Sequence, residues 1–448
     1  MGLVNIKKIQ LNKWKLLLIF VFGILLLFSF SKISLCINAK IASDTVVFSS
    51  NSTSITTKWS AETNISNIDE YNSDTPASVI DSKDNIHIVW SEEGQNRDRE
   101  IYYKMYHNRI REWSGTQTIS NLLTSDYGSV YPVIKVDYKD NLHIIWRVAG
   151  LSSQNINYRY SINGIWSEII TVTSCNQTVF SHDLTPTAKG NIFFIWGNDY
   201  DLYYKIYSHE TKTWTTEQQL TNTTKHDGQP SVDSDINSNI HLSWSGGSDE
   251  LIKAEIFYQY LSRENWTLGE KIIISPIDNI RSVDPKILID RKDIVNIIWS
   301  DDDYLISDTY YGEIHNNILT NMIRLNNEDI ALYHEFFVDY DNNIHFVWLD
   351  GYSYRYRIKT ANGFWSEEIV VKEHEELTLT NDLTIIVNSK NFIKIFYRKW
   401  NGNSWELYSI AGKVSYNFEV LVYLSSIAVS LSITLVIVLI NFIKKNKK

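Results

Sequence analysis

Short apolar runs recur along the chain at a nearly constant interval. Each run has the length of a strand and ends in an aromatic residue, which we call the anchor. The seven anchors are Trp90, Trp146, Trp196, Trp244, Trp299, Trp348 and Tyr397. Successive anchors are 48 to 56 residues apart. Alternating or wholly apolar runs of this length predict β-strands, and a period near fifty residues predicts a repeat architecture.

Each repeat contains signals for four strands, which we call a, b, c and d. Strand a leads into the anchor-bearing strand b through a short turn, as in "PASVIDSKDNIHIVW" (76–90). Strand c is rich in Tyr, as in "IYYK" (101–104), and strand d usually opens with Trp-Ser or Trp-Thr. Four antiparallel strands per repeat predict propeller blades. The alternative, a solenoid, would need polar capping repeats that the terminal units lack.

The turn between strands a and b has a fixed register. The residue six places before the anchor is Asp, Asn or Gly in every repeat except the fourth, which has Ser238. Asp, Asn and Gly favour left-handed turn conformations. The sequence therefore predicts a tight hairpin at the same place in every blade.

The last repeat supplies strands a, b and c and ends near residue 410, without a strand d. The missing strand is found at the other end of the chain, in "TKWSAETNIS" (57–66). We therefore predict an all-β fold, a seven-bladed β-propeller of four-stranded antiparallel blades over residues 57–410. The N-terminal strand 57–66 would join the C-terminal blade, close the ring and remove an exposed strand edge.

Apolar segments flank the repeats. Lysines followed by "LLLIFVFGILLLFSF" predict a signal peptide or signal anchor over residues 1–43, and residues 44–56 form a short lead-in. Residues 420–443 carry no charge and predict a C-terminal transmembrane helix after a juxtamembrane linker, 411–419. The basic tail 444–448 predicts a cytoplasmic C-terminus. Together these features predict a single-pass cell-membrane protein with its propeller outside.

The composition argues against a nucleic-acid partner and against a disulfide within the repeats. The 448 residues carry a net charge of −10, and no basic run interrupts the repeats, so nucleic acid is not an expected partner. Only two cysteines occur, Cys36 in the leader and Cys175 in the repeats. No disulfide can form within the repeats, so the predicted fold depends on packing alone.

Loop lengths distinguish the two faces of the predicted propeller. The b–c and d–a loops vary in length between repeats, whereas the a–b and c–d connections are nearly constant. We call the first side the variable face and the second the turn face. Binding loops are usually the variable ones on a rigid scaffold, so we predict a ligand site on the variable face, which the predicted anchor would make membrane-distal.

Histidines and carboxylates supply the candidate chemistry. His87, His143, His241 and His345 recur three residues before an anchor, which predicts a repeated structural role rather than a metal cluster. Other residues fall at or beside the Pro that usually begins strand a, at the mouth of the central channel. These are His182, Asp183, Asp284, His334, Glu335 and Asp382. The four carboxylates are catalytic candidates, because glycoside hydrolysis needs a convergent pair, and the two histidines are candidates for ligand binding.

Loops of the variable face carry further candidates. Arg147, Arg281 and Arg398 could bind a carboxylate of the ligand in bidentate fashion, and Tyr304 and Trp400 could stack on sugar rings. Oxygen-rich loops also bind calcium, and the only candidate ligands for such a structural ion are Asp301, Asp302 and Asp303. No other cofactor is expected.

The repeat pattern P-x-V-x-x-D-x-x-x-N-I-H-I-V-W, followed by Tyr-Tyr and Trp-Ser, resembles the BNR/sialidase-like propellers of microbial surface proteins. The resemblance covers about residues 57–410 and implies the propeller architecture. The Asp-box of sialidases, S-x-D-x-G-x-x-W, is eroded to "SINGIW" (161–166) and "TANGFW" (360–365). A sialidase would also need three arginines, a Tyr/Glu pair and an acidic Asp, which no local motif places here.

Two functions follow. The leading hypothesis is a recognition module that binds a glycan or a protein on the membrane-distal variable face. The alternative is a sialidase-like glycoside hydrolase with its site at the central channel mouth.

Overall fold

The structure is a computed structural model. It describes residues 53–66, 71–94, 98–121, 128–150, 154–175, 179–247, 253–302, 307–327, 331–351, 353–373 and 382–418. Every regular element in these ranges is a β-strand, and the strands form seven antiparallel four-stranded blades.

Blades 1 to 4 share one pattern, in which strand d is split into two short segments. In blade 1 the strands are Ser73–Ile80, Ile86–Glu93, Arg99–His107, and Glu112–Trp113 with Gln117–Thr118. In blade 2 they are Gly128–Val136, Leu142–Ala149, Gln154–Ile162, and Ile165–Trp166 with Ile170–Cys175. In blade 3 they are Val179–Pro186, Asn191–Asn198, Asp201–Ser208, and Thr213–Trp214 with Gln218–Gln219. In blade 4 they are Gly228–Ser234, Ile240–Gly246, Glu255–Ser262, and Thr267–Leu268 with Ile272–Ile273.

Blades 5 to 7 depart from this pattern in strand d. In blade 5 the strands are Arg281–Ile289, Val295–Asp302, Ser307–His315 and Ile318–Arg324. In blade 6 they are Leu332–Val338, Ile344–Leu349, Ser353–Lys359 and Ile369–Glu373. In blade 7 strands a to c are Leu383–Val387, Phe392–Trp400 and Trp405–Phe418, and the N-terminal strands Thr53–Trp59 and Thr63–Asn64 pair with the last of these.

The N-terminal strand therefore closes the ring, as the repeat pattern indicates. It does so over a longer stretch than predicted, because pairing runs from Trp59 opposite Gly412 to Thr53 opposite Phe418. The closing strand begins four residues before the predicted start at 57. Strand c of blade 7 continues to Phe418, through most of the stretch 411–419 that we predicted to be a linker. Backbone pairing with the N-terminal strand explains why this polar stretch is ordered as a strand.

The hydrophobic core consists of separate clusters, most of them shared by two adjacent blades. The six Trp anchors are fully buried, and each lies in such a cluster or beside one. The Trp of strand d packs across the interface as well: Trp365 of blade 6 contacts the ring of Tyr311 in blade 5, with ring centroids 5.5 Å apart. The repeat thus specifies one interface design that is used around the ring.

The predicted a–b turns are confirmed. The residue six places before each anchor has a positive φ in all seven blades, between 58° and 82°, including Ser238 at 69°. Several of these residues also accept a hydrogen bond from the preceding blade: the backbone N–H of Ser82 donates to Asp140 at 2.9 Å, and that of Arg291 donates to Asn342 at 2.9 Å. The turns therefore connect neighbouring blades.

The structural role predicted for the four repeated histidines is also confirmed. In each of their blades, Nδ1 of the His lies 2.7–2.8 Å from a Tyr hydroxyl of strand c. Nε2 of the same His lies 3.0–3.7 Å from an Asp carboxylate of the a–b turn. The four Asp–His–Tyr sets are Asp81–His87–Tyr103, Asp137–His143–Tyr158, Asp235–His241–Tyr258 and Asp339–His345–Tyr356.

The predicted membrane topology requires a correction. Within the described ranges no helix has the length and apolarity that a bilayer-spanning segment needs, and all regular elements there are strands. The prediction of a C-terminal transmembrane helix, and of a single-pass membrane protein anchored by it, is wrong on this finding. It rested on hydropathy alone, and the segments that carried it, 1–43 and 420–443, lie outside the described residues.

Candidate functional site

The central channel opens into a cavity of about 430 Å³ on the variable face. The cavity is lined by residues in or directly before the seven strands a, which follow the d–a loops and so begin on that face. Five of the six candidates at the Pro position line it or its rim: His182, Asp183, Asp284, Glu335 and Asp382. The prediction of a channel-mouth location therefore holds for these five side chains.

A β-bulge marks the start of strand a in six blades. The register with strand b shifts there, for example between Val130 and Val133 and between Val283 and Lys286. The residue directly before the Pro position is left-handed in five blades, with φ of 50–53°. These five residues are Thr75, Tyr131, Gln229, Asp284 and Tyr333. Bulges turn side chains out of the regular alternation, and here they do so around the channel mouth.

Hydrogen bonds between adjacent blades fix the bulged residues in place. The backbone N–H of Gln229 donates to Ser181 Oγ at 2.9 Å, and the backbone N–H of Asp284 donates to Gln229 Oε1 at 3.1 Å. A backbone hydrogen bond from Thr75 reaches Asp382 in the same way at the junction of blades 7 and 1. Left-handed backbone at non-Gly residues costs free energy, so it persists where neighbours fix it. The mouth is consequently a preorganised rim.

Among the charged side chains that line the cavity, we call Lys135, Asp183, Lys286 and Glu335 its floor. Lys286 forms an ion pair with Glu335, and both reach the cavity, with 30% and 27% of their side chains accessible. Burial raises the pKa of the Glu335 carboxyl, Lys286 opposes this shift, and the charge of Asp284 adds to it. Burial opposes the charge of Lys135, but Asp183 and other carboxylates outweigh it and raise the pKa of this ammonium.

Two of the four carboxylate candidates are occupied by internal contacts. Asp183 accepts backbone hydrogen bonds from Leu184 at 2.8 Å and from Val232 of the next blade at 2.9 Å. Burial nevertheless raises the pKa of Asp183. Asp382 is buried, and its carboxylate lies 3.4 Å from Arg398. Both residues connect adjacent blades, which makes them supports of the mouth.

The two candidate histidines occupy equivalent positions, and in both of them Nε2 is hydrogen-bonded to a backbone carbonyl oxygen. His182 Nε2 lies 2.8 Å from the carbonyl oxygen of Tyr131, and His334 Nε2 lies 2.9 Å from that of Asp284. In both cases the acceptor belongs to the bulge of the preceding blade. Burial lowers the pKa of each ring to about 4, so both are neutral at pH 7.

The three candidate arginines have internal partners. Arg147 Nη1 donates to the carbonyl oxygen of Val179 at 2.6 Å. Arg281 pairs with Asp302, and Arg398 pairs with Asp74 at 2.9 Å. The structure therefore does not bring the three arginines together as one bidentate clamp.

Exposed aromatic rings at the rim were not among the predicted site residues. Tyr131 and Phe180 line the cavity and are each 50% exposed. The guanidinium of Arg147 stacks 4.9 Å from the Tyr131 ring, and Phe180 contacts His226 edge to face at 5.4 Å. The available sequence signal was their place, since Tyr131 directly precedes Pro132 and Phe180 lies two residues before His182.

The remaining predicted site residues are dispersed. Trp400 lies at the b–c loop of blade 7, is partly exposed and contacts Trp405. Asp301 is buried, accepts hydrogen bonds from Ser282 and Trp299, and has a pKa raised to about 6 by burial. Asp302 pairs with Arg281, while Asp303 and Tyr304 lie outside the described residues. Across the described ranges no three His, Cys, Asp or Glu side chains are placed to hold a metal ion together.

Comparisons with known proteins bear on the fold. No family model matches the chain and no curated protein matches it, so the resemblance to BNR/sialidase-like repeats is not confirmed. Solved structures do match. A lectin from Burkholderia pseudomallei has a TM-score of 0.54 at 8% identity, covering 75% of this chain and 96% of the lectin.

Two further structures match over similar lengths. A protein of unknown function from Dyadobacter fermentans has a TM-score of 0.51, and an α-L-arabinofuranosidase from Fusarium graminearum has a TM-score of 0.50. Each is 10% identical and covers 80% of this chain and 99% of its own. At such identities the matches show the fold alone, and the neighbours that share it include a sugar-binding protein and a sugar-cleaving enzyme.

Proposed function

We propose that this protein binds a glycan at the channel mouth on its variable face. The observation that carries the proposal is the combination of half-exposed aromatic rings, Tyr131 and Phe180, with a polar, charged floor in one cavity. Sugars present apolar C–H faces and many hydroxyls, so aromatic surfaces beside convergent polar groups suit them. The lectin and the arabinofuranosidase that share the fold support a carbohydrate ligand by analogy only.

A small polar ligand is favoured over a protein partner. A cavity of about 430 Å³ has the size of a small-molecule site. Specific protein interfaces instead bury roughly 800 Å² on each partner over a broad surface. The half-exposed aromatic side chains of the described rim, Tyr131 and Phe180, lie on one side, at blades 2 and 3, which suits a short saccharide.

Glycoside hydrolysis is the second candidate, and one observation favours it. Glu335 and Asp284 lie on neighbouring blades close enough for the charge of Asp284 to raise the pKa of Glu335. A carboxyl with a raised pKa beside a second carboxylate is what an acid-and-base pair requires. Lys286 works against this role, because its ion pair favours the charged form of Glu335 and so opposes the rise of its pKa. Binding without turnover therefore stays the leading proposal.

A glycan array and a panel of p-nitrophenyl glycosides, both applied to the full chain, test the two functions together. We expect retention of a restricted set of glycans and no release of nitrophenol. In Tyr131→Ala or Phe180→Ala, affinity should fall by about tenfold or more, as for other aromatic anchors. Tyr138→Ala is the matched control, because Tyr138 is 61% exposed but follows strand a on the turn face.

Two results would contradict the ranking. Retention of no glycan, or equal loss in the Tyr138 control, would refute binding at the mouth. Nitrophenol release that disappears in both Glu335→Gln and Asp284→Asn would instead establish the hydrolase.

A further inference from the structure

The junctions of blades 2 with 3 and 5 with 6 differ in one contact. Each brings a His to the Pro position of the second blade, and each fixes Nε2 on a carbonyl oxygen of the first. Because a carbonyl only accepts, Nε2 carries the proton in both neutral rings, and Nδ1 presents a lone pair. The two junctions differ in the hydrogen-bond partner that is available to Nδ1.

At the junction of blades 5 and 6 the lone pair has a donor. Ser300 directly follows the anchor of blade 5, and its hydroxyl lies 3.0 Å from His334 Nδ1. The ring of His334 is thereby satisfied on both nitrogens, and only 2% of the residue is exposed. This junction is complete without any ligand.

At the junction of blades 2 and 3 the place of the serine is taken by Arg147. Its Nη1 donates to the carbonyl oxygen of Val179 and its guanidinium stacks on Tyr131. His182 Nδ1 and Arg147 Nε are both buried, and neither has a hydrogen-bond partner among the described residues. Arg147 is close enough to disfavour the charged form of His182. One acceptor and one donor are therefore left unsatisfied on two side chains that both contact Tyr131, and this costs free energy in the empty protein.

The chemistry of these two atoms selects one class of ligand group. A carboxylate or phosphate could accept from Arg147 Nε but would repel the lone pair of His182. An ammonium could donate to His182 but would be repelled by Arg147. A hydroxyl both donates and accepts, so it can satisfy both atoms at once.

We propose that Arg147 and His182 form a hydroxyl-binding subsite of the channel mouth, where one sugar hydroxyl donates to His182 Nδ1 and accepts from Arg147 Nε. The subsite rests on the proposed glycan binding and gives it a point of specificity. Phe180 and Tyr131, both half exposed, flank His182 at the cavity. The side chains that must move to admit the hydroxyl are thus surface ones.

The test follows the imidazole nitrogens by NMR in the full chain labelled with ¹⁵N-histidine. Glycerol serves as the hydroxyl probe, acetate as the anion probe and methylammonium as the cation probe. We expect glycerol to move the Nδ1 resonance of His182 toward that of His334 while His334 itself stays unchanged. Acetate and methylammonium should move neither resonance.

Variants at position 147 provide the matched controls. Arg147→Ser recreates the Ser300–His334 arrangement, so the free variant should already show the His334-like resonance and should not respond to glycerol. Arg147→Lys keeps the positive charge but has no Nε–H, and the glycerol concentration for half-saturation should rise on the order of tenfold, the loss expected for one hydrogen bond. Ser300→Ala should leave the His182 response intact. Thermal melting of each variant checks that it is folded.

Several outcomes would overturn the subsite. These are a His182 resonance that is His334-like in the free wild type, which would indicate a resident water, an equal response to acetate, or a glycerol response that survives in Arg147→Ser. Any of these together with glycan retention on the array would refute the subsite alone. A specific glycerol response without any glycan retention would refute the proposed function and leave the subsite standing.

Discussion

The turn face and the variable face of this propeller hold their carboxylates in opposite ways. On the turn face burial opposes the charge of Asp81 and Asp137, but hydrogen bonds from His, Asn and backbone N–H groups lower their pKa to about 2. On the variable face burial prevails, and it raises the pKa of Glu92 to about 7 and that of Asp301 to about 6.

The same division holds for further residues of each face. Asp235 and Asp339 of the turns have lowered pKa values, whereas the pKa is raised at the mouth and its loops in Asp183, Asp227, Glu255, Glu335 and Asp382. Carboxylates of the turns stabilise the fold, whereas those of the mouth are kept at a cost. Groups with perturbed pKa values gather at functional sites, and this contrast supports placing function at the variable face.

The largest expected effect comes from the same isosteric change made on each face. Asp339→Asn removes the charge that binds His345 Nε2 at 3.0 Å and Asn343, and all three of these residues are buried. It should lower the free energy of unfolding by about 3 kcal/mol. Asp301→Asn imitates the protonated form that burial already favours, so it should cost less than about 1 kcal/mol. Urea denaturation of both variants at pH 7 makes the comparison, and equal losses would remove the distinction between the faces.

A pH series separates the two groups of carboxylates. Between pH 4.5 and about 7 the unfolded chain has released the proton of Glu92 while the folded protein keeps it, so stability should fall as pH rises. Glu92→Gln should abolish up to about 3 kcal/mol of this loss. The turn carboxylates have the opposite sign, since their contribution is present above their unfolded pKa of 3.8 and is lost as pH falls toward 2. Melting midpoints of wild type and variant from pH 2.5 to 8 measure both, and an unchanged slope in the variant would contradict the assignment.

Hydrogen bonds between blades give a smaller contrast. Asp140 accepts from the backbone and hydroxyl of Ser82 across the turn face, so Asp140→Ala should cost about 1 kcal/mol. The side chain of Gln229 makes one such contact at the mouth, and Gln229→Ala should cost only a few tenths of a kcal/mol while weakening glycan retention. Urea denaturation measures the stability of both variants, and the glycan array measures their binding. A loss of glycan binding in Asp140→Ala would contradict the assignment of stability to the turn face and binding to the mouth.

The smallest effect concerns Ser238, whose φ is 69°. Blades 6 and 7 place Asn at this turn position, and Asn adopts left-handed backbone more easily than Ser. Ser238→Asn should raise stability by about 0.5 kcal/mol. The new side chain can still accept from the backbone N–H of Lys189, as Ser238 does at 3.1 Å. A shift of the thermal midpoint to lower temperature would contradict it.

The repeat was predictable from sequence because it depends on short-range patterns of residues. The anchors, the left-handed turns and the structural histidines each depend on residues within a few positions of one another. The extent of the closing strand was not predictable. Thr53 pairs with Phe418 across nearly the whole length of the sequence, and neither residue lies in a recognisable part of the repeat pattern.

The site was predicted in position but not in detail. The bulges that make Tyr131 and Tyr333 left-handed have no sequence signature, because Tyr rarely adopts a positive φ. The arginines proposed as clamps are held by partners such as Asp302 and Val179, and such pairing across loops or between blades is visible only in three dimensions.

One repeated contact had a recognisable sequence pattern that our prediction did not use. In five blades the first or second residue of strand c is Glu or Asp, and it accepts a hydrogen bond from a Ser, Thr or Asn that lies two residues past the end of strand d. The pairs are Glu100–Ser120, Asp201–Thr221, Glu255–Ser275, Asp308–Asn326 and Glu406–Ser66. In four of them the partner lies 18 to 20 residues downstream, and in blade 7 the partner comes from the N-terminal segment. This polar pair would have supported the assignment of segment 57–66 to blade 7 independently of its Trp-Ser signal.

The closing strand has a mechanical consequence. Thr53 and Phe418 are the outermost pair of an antiparallel ribbon, so the propeller is attached to the rest of the chain at two adjacent points. A force that drew those two points apart would load the ribbon one hydrogen bond at a time, from Thr53 toward Trp59. A force applied to both together would pass through blade 7 alone and leave the other six blades unloaded. The propeller can therefore be held or pulled as one rigid body, provided that its two connections move together.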